Sequence, residues 1–158
     1  MQQILITGTN RGLGLEFVRQ YLDRGDRVYA TCRSPESATI LQDLSKENSS
    51  LLTIIELEVT NENLLDKCVK VVESHTTHLD LLLNVAGVSP EGEDWDNLSV
   101  ETMLETFHIN SVAPLIIANR VHHLLNEAAE PKIVNLSSGQ GSLHNKRSGG
   151  KYSYGSSK

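Results

Sequence analysis

Hydrophobic residues alternate between two patterns along this chain. Short apolar runs, typical of buried strands, occupy residues 3–7, 27–32, 51–59, 79–87 and 131–138. Segments with helical periodicity lie between these runs, at 11–25, from Ser34 onward, at 61–75 and from Ser99 to about Asn126. Because most of the strands are apolar on both faces, the pattern predicts an α/β fold whose parallel sheet is covered by helices on both sides.

The alternation of strands and helices also predicts a topology. Right-handed crossovers between the five predicted strands give a doubly wound, Rossmann-like sheet with strand order 3-2-1-4-5. The length of 158 residues suits a single domain spanning 1–158. Ligands of such sheets bind beyond the carboxyl ends of the strands, at the switch point where the order reverses. Here the switch point lies between the first and fourth strands.

Several residues mark the helices themselves. Asn61 and Ser99 are predicted N-caps. The first helix is expected to bury one apolar face, formed by Leu13, Phe17, Val18, Tyr21 and Leu22. In the longest helix, Pro114 has no N–H, so the carbonyl of Asn110 would lose its usual partner and the helix should kink there.

Composition narrows the possible partners and compartment. Hydrophobic residues make up 39% of the chain and charged residues 22%, as in soluble globular proteins. The net charge of -6 argues against nucleic acid or an anionic membrane as the main partner, and no apolar run approaches the roughly 18 residues that span a bilayer. Cys32 and Cys68 follow no signal peptide, which predicts reduced thiols in the cytoplasm.

A glycine-rich turn connects the first strand to the first helix. It reads TGTNRGLG, with glycines at 8, 12 and 14. Backbone N–H groups at the start of a helix can hold a diphosphate, and glycines let the turn, the phosphate and the strand approach closely. The spacing is neither GxGxxG nor a P-loop. A simple tight turn is the alternative interpretation.

Further motifs follow in an order that resembles the short-chain dehydrogenase/reductase family. That family has TGxxxGxG, NNAG, a helical asparagine, a serine after strand five and YxxxK. The matching positions here are Thr7, Gly8, Gly12 and Gly14; Asn84 to Gly87, with Val85 replacing the second asparagine; Asn110; Ser138; and Tyr154 with Lys158. The resemblance covers the whole chain. Within the family, the segments NRGLGLEFVRQYL, VYATCRSP and INSVAPL look most like C-factor and sniffer-type carbonyl reductases.

The resemblance implies a catalytic set of Asn110, Ser138, Tyr154 and Lys158. Tyr154 would be the general acid that protonates a carbonyl oxygen, and Lys158 would also hydrogen-bond the nicotinamide ribose. Tyr154 has Lys158 four residues later on the same helical face, whereas Tyr152 has Ser156 there. A nearby ammonium favours the phenolate form of a tyrosine. Ser138 would bind the substrate oxygen, with Ser137 as the alternative, and Asn110 would support a water relay to the lysine.

The cofactor expected from these motifs is NADP(H). Cys32 occupies the position where an acidic residue would bind the ribose of NAD, and Arg33, with Arg11, suits a 2′-phosphate; two solvated arginines are the alternative. Glu58 stands where the family has an aspartate that contacts adenine. The full predicted cofactor set is Gly8, Asn10, Arg11, Gly12, Leu13, Gly14, Arg33, Glu58, Val59, Asn84, Ala86, Gly87, Tyr154 and Lys158.

The resemblance also suggests that the chain is an N-terminal fragment or a truncated product. Family members continue after YxxxK with the rest of that helix, two more strands and a substrate-covering loop, and they commonly form homodimers. The predicted function is NADPH-dependent hydride transfer between nicotinamide and a small carbonyl or alcohol substrate. The alternative is a non-catalytic nucleotide-binding or C-factor-like signalling protein. A nucleotide-sugar epimerase also uses YxxxK, but the glycine spacing fits the reductases better.

Three remaining features suggest less specific roles. Two histidine pairs, at 75 and 78 and at 122 and 123, lack partners at metal-ligand spacing, so no metal site is expected. Trp95 lies in an acidic loop, where it would border the substrate cleft or simply anchor the loop. A polar glycine-rich loop is predicted at 139–150.

Overall fold

The computed structural model describes residues 1–145 and 149–158. Its strands are β1 (Gln3–Thr7), β2 (Arg27–Cys32), β3 (Leu52–Glu56), β4 (Leu81–Asn84) and β5 (Lys132–Asn135). Its α-helices are α1 (Gly12–Asp23), α2 (Thr39–Glu47), α3 (Glu62–Glu73), α4 (Val100–Phe107), α5 (Ala113–Asn126) and α6 (Tyr152–Ser157). Part of the predicted loop at 139–150, namely residues 146–148, lies outside the described residues.

The five strands form one parallel sheet in the order β3-β2-β1-β4-β5. The predicted doubly wound topology is therefore confirmed. In the register, Leu5 pairs with Tyr29 and with Leu82, and Asn84 pairs with Asn135. Because all strands run the same way, their carboxyl ends meet at one edge of the sheet, with the reversal of order between β1 and β4.

Two apolar layers cover the sheet. Alternate residues of a strand point to opposite faces, so Leu5 and Tyr29 pack with α3 and α5, whereas Ile4 and Ile6 pack with α1 and α2. All four side chains are fully buried. Burial of each such side chain contributes about 1.5–3 kcal/mol, so the centre of the sheet is the rigid base on which the edge loops stand.

The strands are shorter than the apolar runs that predicted them. The runs continue to residues 59, 87 and 138, but β3 ends at Glu56, β4 at Asn84 and β5 at Asn135. At the end of β4 the backbone N–H groups of Val85 and Ala86 both bond the Thr7 hydroxyl, at 3.1 Å, instead of a neighbouring strand. The apolar residues beyond each strand therefore leave the ladder and line the edge of the sheet.

The outer strand β5 differs from the rest of the sheet. Ile133 and Val134 are 49% and 42% exposed, respectively. Within the described part of the chain, β5 pairs with β4 on one side only. The expectation of helices on both faces thus holds for β1, β2 and β4 but not for β5.

The long predicted helix is interrupted at the predicted place. α4 and α5 are joined by a π-helical segment, His108–Val112, in which the Ala113 N–H bonds the carbonyl of His108 five residues earlier. Pro114 follows directly, and its missing N–H explains the irregular hydrogen bonding. The N-caps are confirmed as well, since Ser99 accepts the Thr102 N–H at 3.3 Å and Asn61 accepts the Leu64 N–H at 3.1 Å.

Two helix predictions need correction. Leu13 does not join the buried face of α1 but is 60% exposed, because it lies in the first turn, beside the glycine-rich segment. The helix expected from Ser34 begins only at Thr39, after a 3-10 turn that starts at Pro35. Across residues 1–145 and 149–158, no helix is both long and apolar enough to cross a bilayer.

Candidate active site

The glycine-rich turn needs glycine for packing at two positions. A Cβ on Gly8, whose φ is +72°, would lie 2.8 Å from the Ala86 Cα, and a Cβ on Gly14 would lie 2.1 Å from the Gly8 carbonyl oxygen. Both distances are far below van der Waals contact, so a side chain at either position would force the backbone apart. The turn is therefore pressed against the segment that follows β4 and against its own helix.

Thr7 and Thr9 fasten this turn to the sheet. The hydroxyl and the N–H of Thr9 both bond the Thr31 carbonyl at 3.0 Å. The Thr7 hydroxyl holds the segment after β4, as described above. The turn, the end of β2 and the start of the β4 loop thus form one rigid unit at the switch point.

A cleft of about 330 Å³ opens at this unit. Most of the predicted cofactor residues line it, namely Gly8, Asn10, Arg11, Gly12, Leu13, Gly14, Arg33, Glu58, Val59, Ala86 and Gly87. Sequence reasoning missed other lining residues, Leu57, Val85, Val88, Ile109 and Leu136. Four of the five lie just past the end of β3, β4 or β5, so their position directly after an apolar strand could have identified them.

Asn84 is placed differently from the other predicted cofactor residues. It is only 4% exposed, and its side-chain amide donates to the Asn135 side-chain oxygen at 2.9 Å. Its own side-chain oxygen is buried without a hydrogen-bond partner in the described structure. Asn84 therefore joins the ends of β4 and β5 behind the wall of the cleft.

Arg33 and Glu58 stand where the cleft meets a second depression of about 810 Å³. The guanidinium of Arg33 lies 3.8 Å from the Glu58 carboxylate, and the Arg33 side chain is 70% exposed. An exposed guanidinium is open to an anionic ligand at this junction.

Both cysteine thiols are buried. Cys32 directly precedes Arg33, and desolvation raises the pKa of its thiol. Burial likewise raises the pKa of the Cys68 thiol to about 12.

Tyr154 and Lys158 come together along α6. The Lys158 ammonium lies 5.9 Å from the centroid of the Tyr154 ring and donates a hydrogen bond of 2.6 Å to the Leu136 carbonyl. It also faces Gly87, since a Cβ there would lie 3.5 Å from Lys158 Nζ. The lysine thus bridges the tyrosine helix and the wall of the cleft.

Asn110 joins the same group through its side chain. Its amide oxygen accepts the Val88 N–H, and its amide nitrogen donates to the Val88 carbonyl and to the Ser157 hydroxyl, each at 2.9 Å. The neighbouring Ser111 hydroxyl donates to the Ser157 carbonyl at 2.7 Å. The π-helical segment therefore holds both the β4 loop and the end of α6.

The two serines after β5 have different contacts. The Ser137 hydroxyl donates to the Lys158 carbonyl at 3.1 Å. The Ser138 hydroxyl accepts the Gln140 N–H at 3.2 Å, which leaves its own proton available for another acceptor. The Ser137 hydroxyl thus acts as a donor to the segment around Lys158, and the Ser138 hydroxyl acts as an acceptor within its own turn.

Tyr152 faces a different neighbour from Tyr154. Its ring lies edge-on to Trp95, with centroids 6.0 Å apart. Trp95 itself is 71% exposed, in the acidic loop after β4. Of its two expected roles, this contact favours the one in which Trp95 anchors the loop to α6.

Histidines of the two pairs contact backbone or carboxylate oxygen atoms of the protein. His75 Nδ1 lies 2.8 Å from the Val71 carbonyl, and His123 Nε2 lies 2.9 Å from a Glu73 carboxylate oxygen. Throughout the two described ranges, no three histidine, cysteine or acidic side chains are grouped as metal ligands would be.

These features define a class: a Rossmann-like α/β fold with a glycine-bounded cleft at its switch point and a tyrosine–lysine helix beside it. The family model described as short chain dehydrogenase matches residues 2–158. The chain therefore belongs to the short-chain dehydrogenase family.

Individual relatives agree with that assignment. A short-chain dehydrogenase of Pyricularia oryzae is 33% identical over 144 residues, which cover 89% of this chain. Among solved structures, the carbonyl reductase Sniffer of D. melanogaster has a TM-score of 0.94 at 34% identity over 99% of the chain. NADPH-bound carbonyl reductase from chicken fatty liver has a TM-score of 0.94 at 32% identity, also over 99%.

The chain spans only part of these relatives. It covers 58% of the Pyricularia protein, 69% of Sniffer and 68% of the chicken enzyme. The activities of these relatives are therefore applied to this chain only as a proposal.

Proposed function

We propose that residues 1–158 form an NADP(H)-binding domain of an oxidoreductase that transfers hydride between nicotinamide and a small carbonyl or alcohol substrate. The observation that carries the proposal is that Lys158 and Asn110 both lie beside Gly87, at the wall of the glycine-bounded cleft, and that Lys158 directly follows α6, the helix that carries Tyr154. A tight turn alone would not account for a lysine that faces Gly87 and lies 5.9 Å from the centroid of a tyrosine ring.

The residues present fit a dinucleotide phosphate. Gly12 has a φ of +57° and lines the cleft, and a Cβ there would meet no atom within 4 Å, so backbone N–H groups of the turn can approach a diphosphate. Arg11 lines the same cleft, and exposed Arg33 at its outer end would bind a 2′-phosphate. NADP(H) is further supported by two similar structures, the NADPH-bound chicken carbonyl reductase and a Pseudomonas aeruginosa carbonyl reductase in complex with NADP.

Two further pairs of residues that line the cleft are proposed to contact the cofactor. Glu58 and Val59 would border the adenosine, while Ala86 and Gly87 would border the nicotinamide side. Asn84 would act indirectly, by fixing the loop that carries them. When bound, the cofactor supplies or accepts the hydride.

Proton transfer is assigned to α6. The Tyr154 hydroxyl would donate its proton to the carbonyl oxygen during reduction and take it back during oxidation. The Lys158 ammonium would stabilise the resulting phenolate and hold the ribose. Ser138, with its free proton, would hydrogen-bond the substrate oxygen, and Asn110 would hold the lysine's surroundings and support a water relay.

The proposal also includes the oligomeric state of the whole protein, its cellular compartment and the substrates to test first. Exposed apolar side chains on α4 and α5, such as Leu104 and Leu115, would support a homodimer of the whole protein. The two buried, free thiols suit the reducing cytoplasm. The (+)-neomenthol dehydrogenase of Arabidopsis thaliana, 30% identical over 163 residues, suggests testing cyclic ketones and alcohols as substrates.

The test compares two tyrosine variants in NADPH-dependent carbonyl reduction. Tyr154→Phe removes the proposed proton donor, so turnover should fall by about a hundredfold to ten-thousandfold while NADPH binding is kept. Tyr152→Phe keeps the ring that packs on Trp95 and should retain most of the turnover. Equal activity of the two variants would contradict the assignment. A chain that binds NADPH but reduces no carbonyl would favour a non-catalytic binding protein.

A further inference from the structure

The acidic loop after β4, residues 89–98, contacts the start of α6 through Glu93. One Glu93 carboxylate oxygen accepts the Ser153 N–H at 2.8 Å, and the other accepts the Ser153 hydroxyl. The Glu93 carbonyl accepts the Lys151 N–H at 3.3 Å. Glu93 therefore makes two hydrogen bonds to Ser153, sixty positions away in the first turn of α6, and one to Lys151, the residue before the helix.

Glu93 supplies hydrogen-bond acceptors to the first turn of α6. The N–H groups of a first turn have no partner inside the helix. Ser153 is completely buried, so its N–H and hydroxyl cannot turn to water for a partner. The Glu93 carboxylate is what satisfies both groups.

The residue before the helix has an unusual backbone conformation. Lys151 has a φ of +49°, the one positive value among the non-glycine residues described. Left-handed backbone is unfavourable for a lysine, so it persists only where surrounding contacts hold it. The bond from the Lys151 N–H to the Glu93 carbonyl is such a contact. Glu93 therefore defines both where α6 begins and how it is oriented there.

Tyr154 lies between two sets of such contacts. Glu93 holds Ser153, the residue immediately before the tyrosine. At the other end, Asn110 and Ser111 hold Ser157, the residue immediately before Lys158. With both flanking residues fixed, the helix cannot rotate about its axis without breaking buried hydrogen bonds.

We propose that Glu93 is a positioning residue for Tyr154, acting through Ser153. The inference rests on the proposed function, in which Tyr154 is the proton donor. A small rotation of α6 would move the Tyr154 hydroxyl away from a substrate oxygen while leaving the glycine-rich turn and the cofactor cleft unchanged. Loss of Glu93 should therefore impair the chemical step and not cofactor binding.

The experiment measures NADPH-dependent reduction of benzaldehyde by the whole chain and by its variants. Glu93→Ala should lower kcat by about tenfold to a hundredfold, the range expected for a misplaced catalytic group. The KM for the aldehyde and the Kd for NADPH should stay within about twofold. Glu93→Gln keeps an acceptor for the Ser153 N–H and should recover part of the lost kcat. Glu91→Ala, an exposed glutamate of the same loop, is the matched control and should leave kcat unchanged.

A double-mutant cycle that combines Glu93→Ala with Ser153→Ala tests whether Glu93 acts through Ser153. If Glu93 acts through Ser153, the loss of kcat in the double variant should be clearly smaller than the product of the two single losses. Independent effects of the two substitutions would overturn the route through Ser153. An unchanged kcat in Glu93→Ala, or an equal loss in Glu91→Ala, would overturn the proposal as a whole.

Amide hydrogen exchange separates this inference from the proposed function. Exchange of residues 152–157 should become at least about tenfold faster in Glu93→Ala, as for loss of a hydrogen bond to a charged group, and stay unchanged in Glu91→Ala. A wild-type chain without turnover would overturn the proposed function, and exchange alone would then decide whether Glu93 sets the geometry of α6. Unchanged exchange would refute that geometry in either case.

Discussion

The glycine-bounded cleft and the helix α6, which carries Tyr154, are held in place in different ways. The cleft is made by backbone at the ends of buried strands, where Gly8 and Gly14 allow direct contact between segments. The helix packs against α4 and the turn that follows β5, and side-chain hydrogen bonds from Glu93 and Asn110 hold it. The position of the cleft thus depends on the core, whereas the position of α6 depends on a few polar contacts.

This contrast predicts different responses to mutation. A change in the cleft should affect folding, because the same atoms close the core. A change at the helix should affect the geometry of Tyr154 while the sheet stays folded.

Gly14→Ala should destabilise the whole fold. Its Cβ would lie 2.1 Å from the Gly8 carbonyl oxygen and 3.1 Å from the Thr9 Cα, so backbone must move. The expected loss in the free energy of unfolding is about 3 kcal/mol, measured by urea denaturation. Gly139→Ala is the control, because a Cβ there meets no atom within 4 Å and its φ is not positive, so its loss should stay within about 0.5 kcal/mol. Equal losses in the two variants would show that the turn is not packed as described.

Ser157→Ala should weaken the helix without unfolding the sheet. Its hydroxyl accepts from Asn110 and donates to the Tyr154 carbonyl, each at 2.9 Å. Asn110 keeps its contacts with Val88, so the expected loss is about 1 kcal/mol in the free energy of unfolding. Amide exchange should speed up in α6 while the amides of β1 stay protected. The exposed Ser156→Ala is the control, and faster exchange spread evenly over the sheet would contradict the contrast.

The core of the fold and most of the cleft follow from local sequence patterns. Apolar runs and the crossover rule predict the order of five strands, and the first strand leads straight into the glycine-rich turn that lines the cleft. These features can be read from short stretches of sequence. A strand buried on both faces is apolar at successive positions, and glycine is needed where two backbone segments touch. The interruption near Asn110 was also predictable, since it follows from the missing N–H of Pro114.

Other features have no local pattern that would reveal them. Apolar residues such as Leu57 and Val85 look like strand residues, yet they leave the sheet and line the cleft. Glu93 looks like any surface glutamate, and only the fold brings it to Ser153. The exposure of Leu13 depends on its place at the mouth of the cleft, which periodicity within α1 does not encode.

The most direct test of the account is a titration of the chain with NADPH and with NADH, followed by the fluorescence of the reduced nicotinamide. NADPH should bind much more tightly than NADH, and Arg33→Ala should weaken NADPH binding by about tenfold to a hundredfold, as expected for loss of a charge-assisted hydrogen bond, with little effect on NADH. Arg19→Ala, on the outer surface of α1 and 3.7 Å from Glu16, should change neither affinity. Equal binding of the two cofactors by the wild-type chain, or no binding by a folded chain, would contradict the account.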